Sequence, residues 1–181
     1  MRGPILELLV VLLLASSCAH ENSLRTTDAA SASGGRERRS ASPTVADDGI
    51  KRWPASVAGN GIRIRLARTR AQHFRGLAGV RLQKNEGMFF MYGTKVRKSF
   101  WMKGCIIGLD IAWLSDDLRV LKLDSLDAPT PGMREDDIPS AMAPTEIRYV
   151  LEMPKGWFAS RGLGVGSQVS VADAVLRMKA E

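Results

Sequence analysis

Three acidic residues lie in or beside apolar runs of this chain, and by type they are its best candidates for chemistry. They are Asp110, Glu152 and Glu86. Two carboxylates that face one cleft can serve as general acid and base, as in glycoside cleavage. The candidate catalytic residues are therefore Asp110 and Glu152 as a pair, with Glu86 as a third member.

The same carboxylates also have a structural interpretation, because a buried carboxylate must be hydrogen-bonded or paired with a cation. Asp110 could accept hydrogen bonds from backbone N–H groups or pair with Lys103. Glu152 could pair with Arg148 or Arg75. Under this interpretation the acids support the sheet and catalyse nothing.

A second set of residues has the types that a ligand site needs. Ligand sites combine apolar walls with a few convergent polar groups. The sequence offers Trp101, Met102, Lys103, Asp110 and Trp157 as such a ligand-binding set. A binding module that performs no catalysis is accordingly the favoured function, a glycan hydrolase is the second, and a structural or assembly component of the cell envelope is the third.

Metal and cofactor sites are not expected from the residue inventory. The chain has two cysteines and two histidines, which is too few for a structural zinc site. Cys105 lies in an apolar run and is interpreted as a small buried hydrophobe. The sequence therefore predicts no metal and no cofactor.

The N-terminus has the pattern of an export signal. Arg2 precedes the apolar stretch 8–15, and the small residues Ser16 and Ser17 precede Cys18. A short positive start, a short apolar stretch and a small-residue cleavage point make a secretory signal. The ending resembles that of bacterial lipoprotein signals, which implies that Cys18 is the first mature residue and carries a lipid.

This resemblance predicts an exported protein anchored to a membrane through Cys18, on the periplasmic side of the envelope. Ala19, where some lipoproteins have Asp, favours the outer membrane over the inner one. The domain organisation is a signal peptide at 1–17, a lipid-anchored disordered linker at 18–50 and a β-rich domain at 51–181, with order expected from about Ile62. The linker is rich in small and charged residues and cannot bury a core.

Net charge adds a constraint on partners. The whole chain carries +7, and residues 51–181 hold 21 Lys and Arg against 13 Asp and Glu. Such an excess could attract anionic lipid headgroups, an acidic glycan, an envelope protein or nucleic acid, or it could simply be a solvated basic surface. Nucleic acid is not expected, because export and the absence of interleaved basic and aromatic residues on one element disfavour it.

The elements are predicted from periodicity and turn signals. Residues 62–68 alternate apolar and basic side chains, which indicates a strand. Thr69 and Gln72 match a capping box, so a short helix is expected at 70–75, ended by Gly76 in a left-handed cap. Further strands are expected in the ranges 87–93, 100–114, 119–124 and 148–153, followed by a tight turn and a final strand within 164–171, with a long irregular loop at 125–145.

Together these elements predict an α+β fold: a single compact β-rich domain with a mostly antiparallel, partly barrel-like sheet and one or two short helices. The hairpin between 111–114 and 119–124 is the clearest local pairing, because Asp116 and Asp117 form a turn signal. The apolar stretch 100–114 is interpreted as two buried strands or one long bent strand at the centre of this sheet.

Several short motifs resemble a known bacterial and archaeal family, domain of unknown function 192. They are Phe74-Arg75-Gly76-Leu77, Glu86-Gly87-Met88-Phe89-Phe90, Phe100-Trp101-Met102-Lys103, Leu109-Asp110-Ile111, Tyr149-Val150-Leu151-Glu152, Gly156-Trp157 and Gly164-Val165-Gly166. The likeness covers roughly residues 62–171 and implies a compact β-rich α+β domain, often exported, with no assigned activity. Gly104-Cys105 stands where the family often has Asn-Thr, and this weakens a polar ligand site at that point.

Overall fold

The computed structural model describes residues 42–45 and 48–181. Its strands are β1 (Thr44–Val45), β2 (Lys51–Val57), β3 (Asn60–Ala67), β4 (Glu86–Val96), β5 (Ser99–Trp101), β6 (Leu109–Leu114), β7 (Val120–Leu126), β8 (Ser140–Met142), β9 (Ile147–Pro154) and β10 (Val169–Val171). Its α-helices are α1 (Arg70–Arg75) and α2 (Asp173–Leu176), and single 3-10 turns lie at Glu135–Asp137 and Ala159–Arg161. The predicted signal peptide and lipidation site lie outside the described residues, as does most of the predicted linker.

One mixed sheet dominates the fold, in the order β1-β2-β3-β4-β9-β6-β7, and β10 also pairs with β2. All of its pairings are antiparallel except β3 with β4. The predicted hairpin is present as β6 and β7. The prediction of a mostly antiparallel, β-rich α+β domain with two short helices is therefore confirmed.

The sheet of the described residues is not a closed barrel. A single β-bridge joins Arg119, at the start of β7, to Gln168, just before β10. Backbone hydrogen bonds from Val169 to Leu118 and from Val120 to Ser167 support this bridge. The two ends of the sheet thus approach each other at one corner only, which is the extent of the barrel-like character.

Strands β3 and β4 are parallel, so the chain must cross over between them, and α1 lies in this connection. The predicted capping box is present: the Thr69 side chain accepts from the Gln72 backbone N–H, and the Gln72 side chain accepts from the Thr69 N–H. Gly76 ends the helix at φ 47° and ψ −131°. That positive φ suits glycine, but the conformation is not the left-handed helical cap that the sequence predicted.

Apolar residues cover both faces of the sheet, because successive side chains of a strand point to opposite sides. The Phe89 face packs Phe89, Ala112 and Leu151 with the chain after β9 and with α2. The Phe90 face packs Phe90, Ile111, Val150 and other side chains under β5, β8 and the loop 102–108. Strands that are buried on both sides have nearly continuous apolar sequences. This is the case for the central strands β4, β6 and β9.

The stretch 100–114 differs from its prediction in its first half. β6 is fully buried at the sheet centre, but β5 is a short, mostly exposed strand that pairs with β8 in a separate two-stranded sheet. β8 and the Glu135–Asp137 turn also give structure to the loop that was predicted as irregular. The apolar content of 100–108 reflects contact with the Phe90 face, not membership of the main sheet.

Ordered structure begins before Ile62, where the sequence placed its start. β2 runs over Lys51–Val57 and pairs with β3 along most of its length. Pro54 obscured this strand, because proline cannot donate to a sheet ladder. On the other edge of β2 the partners are β1 at Lys51–Arg52 and β10 at Ala55–Val57, so Pro54 falls in the gap between them.

Neither α-helix of the described residues has the length and apolar character that a membrane crossing requires.

Candidate functional site

Glu152 is an acidic residue at the centre of the main sheet. It lies on β9, opposite Met88 of β4 and Ile111 of β6, so its side chain is on the Phe90 face. It is 5% exposed, and its Oε2 has no hydrogen-bond partner among the described residues. Neither Arg148 nor Arg75 forms a salt bridge with it in this part of the chain, so the predicted structural pairing is not present.

Glu152 lines a cavity of about 540 Å³ on the Phe90 face. This volume is in the range of small-molecule sites. Its lining residues are Arg70, His73, Phe74, Arg75, Gly76, Leu77, Ala78, Phe90, Tyr92, Lys98, Ser99, Phe100, Trp101, Lys103, Cys105 and Glu152. They come from α1 and the chain after it, from β4, from β5 and the connections on either side of it, and from β9. We call this space the Glu152 cavity.

Aromatic rings form much of the cavity wall, and they hold each other in place. The Phe90 and Phe100 rings meet edge to face with centroids 4.8 Å apart, a favourable geometry for aromatic pairs. The His73 ring lies 4.4 Å from the Tyr92 ring. His73 Nε2 is 3.1 Å from the Ala67 carbonyl oxygen and 2.9 Å from that of Met91. Carbonyl oxygens only accept, so Nε2 carries the proton, and the ring is fixed against the sheet.

Burial keeps the floor of the cavity uncharged at neutral pH. Desolvation raises the pKa of Glu152 to about 8, because a buried carboxylate lacks the water that stabilises its charge. Desolvation, followed by the nearby Glu152 charge, raises the pKa of Cys105 to about 11. The same two causes raise the pKa of Tyr92 above its ordinary range. At pH 7 these groups are an acid, a thiol and a phenol, all mostly protonated.

Asp110 has the structural role that the sequence offered as its alternative. Its Oδ1 accepts from the Ser125 hydroxyl at 2.6 Å and the Gly156 N–H at 3.1 Å, and its Oδ2 accepts from the Phe158 N–H at 3.2 Å. Asp110 thereby anchors the turn after β9. Lys103 does not pair with it; that ammonium group contacts Glu135 at 2.6 Å instead.

Asp110 and Glu152 do not share a cleft, because they lie on opposite faces of the sheet. Asp110 is directly opposite Met153 of β9, while Glu152 is opposite Ile111 of β6. Residues paired across antiparallel strands point to the same side, and neighbours along a strand point to opposite sides. The register therefore separates the two carboxylates that the hydrolase hypothesis requires as a pair.

Glu86 is occupied by an ion-pair cluster at the other end of β4. Its Oε1 accepts from Arg52 Nε at 2.6 Å and from Arg65 Nε at 2.7 Å. Burial acts to raise the pKa of Glu86, but the hydrogen bonds from Arg65 and Arg52 outweigh burial, and the pKa is lowered. Glu86 is an ionised structural anchor and does not line the Glu152 cavity.

The residues predicted as a ligand-binding set are divided between the two faces. Trp101 and Lys103 line the Glu152 cavity, with the Lys103 ammonium 4.8 Å from the centre of the Trp101 ring. Met102 is 1% exposed and packs in the core of the Phe90 face. Asp110 and Trp157 are on the Phe89 side; Trp157 donates to Asn85 at 3.1 Å, and Arg161 stacks on its ring.

Sequence reasoning missed most of the cavity wall. The sequence predicts only that Phe90, Tyr92 and Phe100 lie in strands, and it assigns no role to Lys98. Because β4 is buried on both faces, its apolar run gives no alternation to separate the wall of a cavity from the core. The signal that was available is the isolated acid in the run Tyr149-Val150-Leu151-Glu152-Met153.

A second cavity, of about 400 Å³, lies beside α1 near Trp53 and Met88. Its most buried charged residue, Arg65, already pairs with Glu86. Among its lining residues, the second cavity therefore has no buried charged group without a salt-bridge partner. No three His, Cys, Asp or Glu side chains come together to hold a metal ion within residues 42–45 and 48–181.

Two solved structures are similar to this domain. A protein of unknown function from Novosphingobium aromaticivorans DSM 12444, solved at 1.22 Å, is similar to this chain at 30% identity, with a TM-score of 0.62 over 72% of this chain and 94% of that one. A protein described as a candidate transcription regulator from Sinorhizobium meliloti 1021 is similar at 19% identity, with a TM-score of 0.54 over 71% and 89%, and this likeness concerns the fold alone. No curated protein matches the chain significantly.

The sequence profile of one family matches residues 54–171, which is more than half of the chain. That range contains all the motifs on which the resemblance was based and extends it toward the N-terminus to include part of β2. The family is described as Uncharacterized ACR. The chain therefore belongs to the DUF192 family, as its motifs indicated.

Proposed function

We propose that this domain is a non-catalytic binding module and that the Glu152 cavity is its ligand site. The observation that carries the proposal is Glu152 itself, a buried carboxyl group that has an unpartnered oxygen and lines an aromatic cavity. A buried polar atom without a hydrogen bond costs about 1–3 kcal/mol. Proteins keep such costs at functional sites, where a bound group supplies the missing partner.

The hydrolase alternative has less support from the same geometry. Paired acid–base cleavage of glycosides needs two carboxyl groups roughly 5–9.5 Å apart on either side of one bond. Glu152 is the single acidic residue that lines this cavity in the described part of the chain. Asp110 and Glu86 are held by the contacts described above. A Cys105 nucleophile is also disfavoured, because its raised pKa leaves little thiolate at neutral pH.

A fragment screen by protein-observed NMR tests the binding function. We expect fragments that bind to shift the resonances of Tyr92, Phe100 and Cys105. Replacing Glu152 with Leu should weaken that binding tenfold or more, since the lost hydrogen bond to a buried group is worth about 1–3 kcal/mol. Exposed Glu146, replaced with Gln, is the matched control. Fragments that bind both variants as well as the wild type, or that bind elsewhere, would contradict the proposal.

We propose further that this module is tethered to the cell envelope through a lipid on Cys18. The support is the N-terminal pattern of Arg2, an apolar stretch at 8–15 and a small-residue cleavage point. Such a lipid anchor would hold the Glu152 cavity close to a membrane on the periplasmic side. The outer membrane is favoured over the inner one. Its partners there would be an acidic glycan or an acidic envelope protein.

A further inference from the structure

The charges around the Glu152 cavity are almost all of one sign. Four cationic side chains line it, namely Arg70, Arg75, Lys98 and Lys103, and Glu152 is the single acid among its lining residues in the described part of the chain. Glu152 is 5% exposed, whereas the four cationic residues are exposed. The cavity thus combines a positive, solvent-facing rim with a buried floor that is mostly uncharged at neutral pH.

Most of this positive charge is free to meet a ligand. Among residues 42–45 and 48–181, the side chains of Arg70, Arg75 and Lys98 form no salt bridge. Lys103 pairs with Glu135, but both partners are about half exposed, and exposed ion pairs contribute little. An anion at this rim would therefore gain cationic partners without displacing a strong internal ion pair.

The walls of the Glu152 cavity, between its rim and its floor, present aromatic surface against which a ring-shaped ligand can pack. Phe90, Tyr92, Phe100 and Trp101 present aromatic surface to the cavity. Trp101 is 46% exposed although it is a large aromatic residue. Aromatic faces pack against flat aromatic rings and against the apolar face of sugars, and the burial of such surface favours binding.

The floor complements a hydrogen-bond acceptor. A protonated carboxyl group donates one O–H, and an ionised one only accepts. The titratable groups that line the cavity together with Glu152 are Tyr92 of β4, Cys105 of the loop 102–108 and His73 of α1, along with the rim cations. Burial keeps the Glu152 proton in place near neutral pH. The floor therefore offers a donor to a neutral oxygen.

From these contacts, and on the basis of the proposed binding function, we infer that the ligand is a ring compound with an acidic substituent. Its carboxylate or phosphate is held by the rim cations Arg70, Arg75 and Lys98. Its ring packs against the aromatic wall of the cavity formed by Phe90, Tyr92 and Phe100, and a hydroxyl or carbonyl oxygen at the far end accepts the hydrogen bond from Glu152. Sugar acids and aromatic acids share this chemistry.

Two triads of probes with matched shape and different charge test the inference on the full chain. One is glucuronate, glucose and glucosamine; the other is 4-hydroxybenzoate, 4-hydroxybenzamide and 4-hydroxybenzylamine. NMR titration reports both the affinity and the place of binding. We expect the acid of at least one triad to bind in the cavity at least tenfold more tightly than its neutral and cationic partners, and the triad that binds identifies the ring class.

Two variants separate a ligand contact from a structural role. Lys98→Gln should weaken binding of the acid several-fold, while exposed Lys84→Gln, outside the cavity, should leave it unchanged. Glu152→Gln keeps an N–H donor, so it should bind the acid less tightly than the wild type at pH 7 but more tightly than Glu152→Leu. It should also lose the pH dependence of the wild type, whose affinity falls as pH rises above about 8 because the O–H donor is lost.

The outcomes distinguish this inference from the proposed function on which it rests. If a neutral or cationic probe binds the cavity as tightly as the acid, the ligand class is wrong and the binding function stands. If no probe of either triad binds and the fragment screen also finds no cavity ligand, both are wrong. If fragments bind but the acids do not, the ligand class alone is overturned.

Discussion

Two buried acids on adjacent strands of this sheet have opposite roles because their partners differ. Asp110 receives three hydrogen bonds, one from a hydroxyl and two from backbone N–H groups. Glu152 has an oxygen with no partner among the described residues. Desolvation without a hydrogen-bond partner stabilises the neutral form of the Glu152 carboxyl group and raises its pKa. Asp110 is therefore an anchor of the fold, and Glu152 is the residue that we propose to contact a ligand.

Glu152 makes the stability of the folded chain depend on pH. Its pKa is raised from 4.5 to about 8, so between these values the folded chain holds a proton that the unfolded chain has released. The free energy of unfolding should then decrease as pH rises from about 5 to about 8, by up to about 1.4 kcal/mol per pH unit. In Glu152→Gln this decrease should be absent. Urea unfolding at pH 5, 6.5 and 8.5 measures it.

Glu146→Gln changes an exposed acid near β9 and should keep the pH dependence of the wild type, so it is the control for that series. A Glu152→Gln curve that runs parallel to the wild-type curve from pH 5 to 8.5 would show that Glu152 titrates normally in the folded chain.

Asp110→Asn should destabilise the domain by about 2–4 kcal/mol. Asparagine has one accepting oxygen, so its NH₂ group would face an N–H or O–H donor that loses its partner, and a buried polar group left unpaired is costly. Ser125→Ala removes one of the three donors and should cost about 1 kcal/mol. Chemical denaturation of both variants measures whether Asp110→Asn is more destabilising than Ser125→Ala. Equal and small losses would mean that Asp110 does not anchor the turn after β9.

At the scale of elements, the register of β4, β9 and β6 decides which side chains can act together. Glu152 shares its face with Phe90 and Tyr92 of β4, and α1 closes the cavity from one side. The short helix α1 has no buried residue of its own. Its capping box is therefore an important local restraint on the cavity wall that carries Arg70 and His73.

Thr69→Ala should loosen this wall. Loss of a capping hydroxyl typically costs about 1 kcal/mol, and Thr69 accepts from the Gln72 N–H here. We expect lower stability by about that amount, faster hydrogen exchange of the α1 amides and weaker binding of any cavity ligand. Thr69→Ser, which retains the hydroxyl, should behave as the wild type. Unchanged exchange in Thr69→Ala would show that the crossover is held by other contacts.

Local patterns in the sequence were sufficient for most of the elements, but not for the site. The alternation of 62–68, the capping box and the β6–β7 hairpin depend on residues close in sequence, and all three are present in the structure. The separation of Asp110 from Glu152 depends on a pairing register between strands about forty residues apart, which periodicity cannot supply. Strand β2 was missed for a related reason. A proline is tolerated inside this strand only because Pro54 lies between the pairings with β1 and with β10, and local sequence does not show where those pairings end.

The whole molecule contains a DUF192 domain, and its N-terminal sequence predicts a lipid anchor. The domain carries the positive charge, and the anchor would place it near anionic surfaces of the envelope. The N-terminal segment lies outside the described residues, so the sequence pattern alone supports the anchor.

Cys18→Ser should release the protein from membranes. In a bacterial host with the lipoprotein pathway, we expect the wild type to sediment with the envelope fraction and the variant to appear in the soluble exported fraction. Cys105→Ser is the control, since Cys105 is buried in the domain, and it should sediment as the wild type does. Identical partitioning of the wild type and Cys18→Ser would contradict the anchor.

The proposed ligand binding depends on Glu152 being protonated near neutral pH, and a titration of this residue measures that property. The Cδ chemical shift of this residue in ¹³C-glutamate-labelled protein, followed from pH 4 to pH 10, reports its protonation with and without a saturating ring acid. The account predicts a midpoint near 8 in the free protein and a higher one in the complex, because an acceptor that binds the protonated form stabilises it. A midpoint close to 4.5 that the ring acid does not move would contradict it.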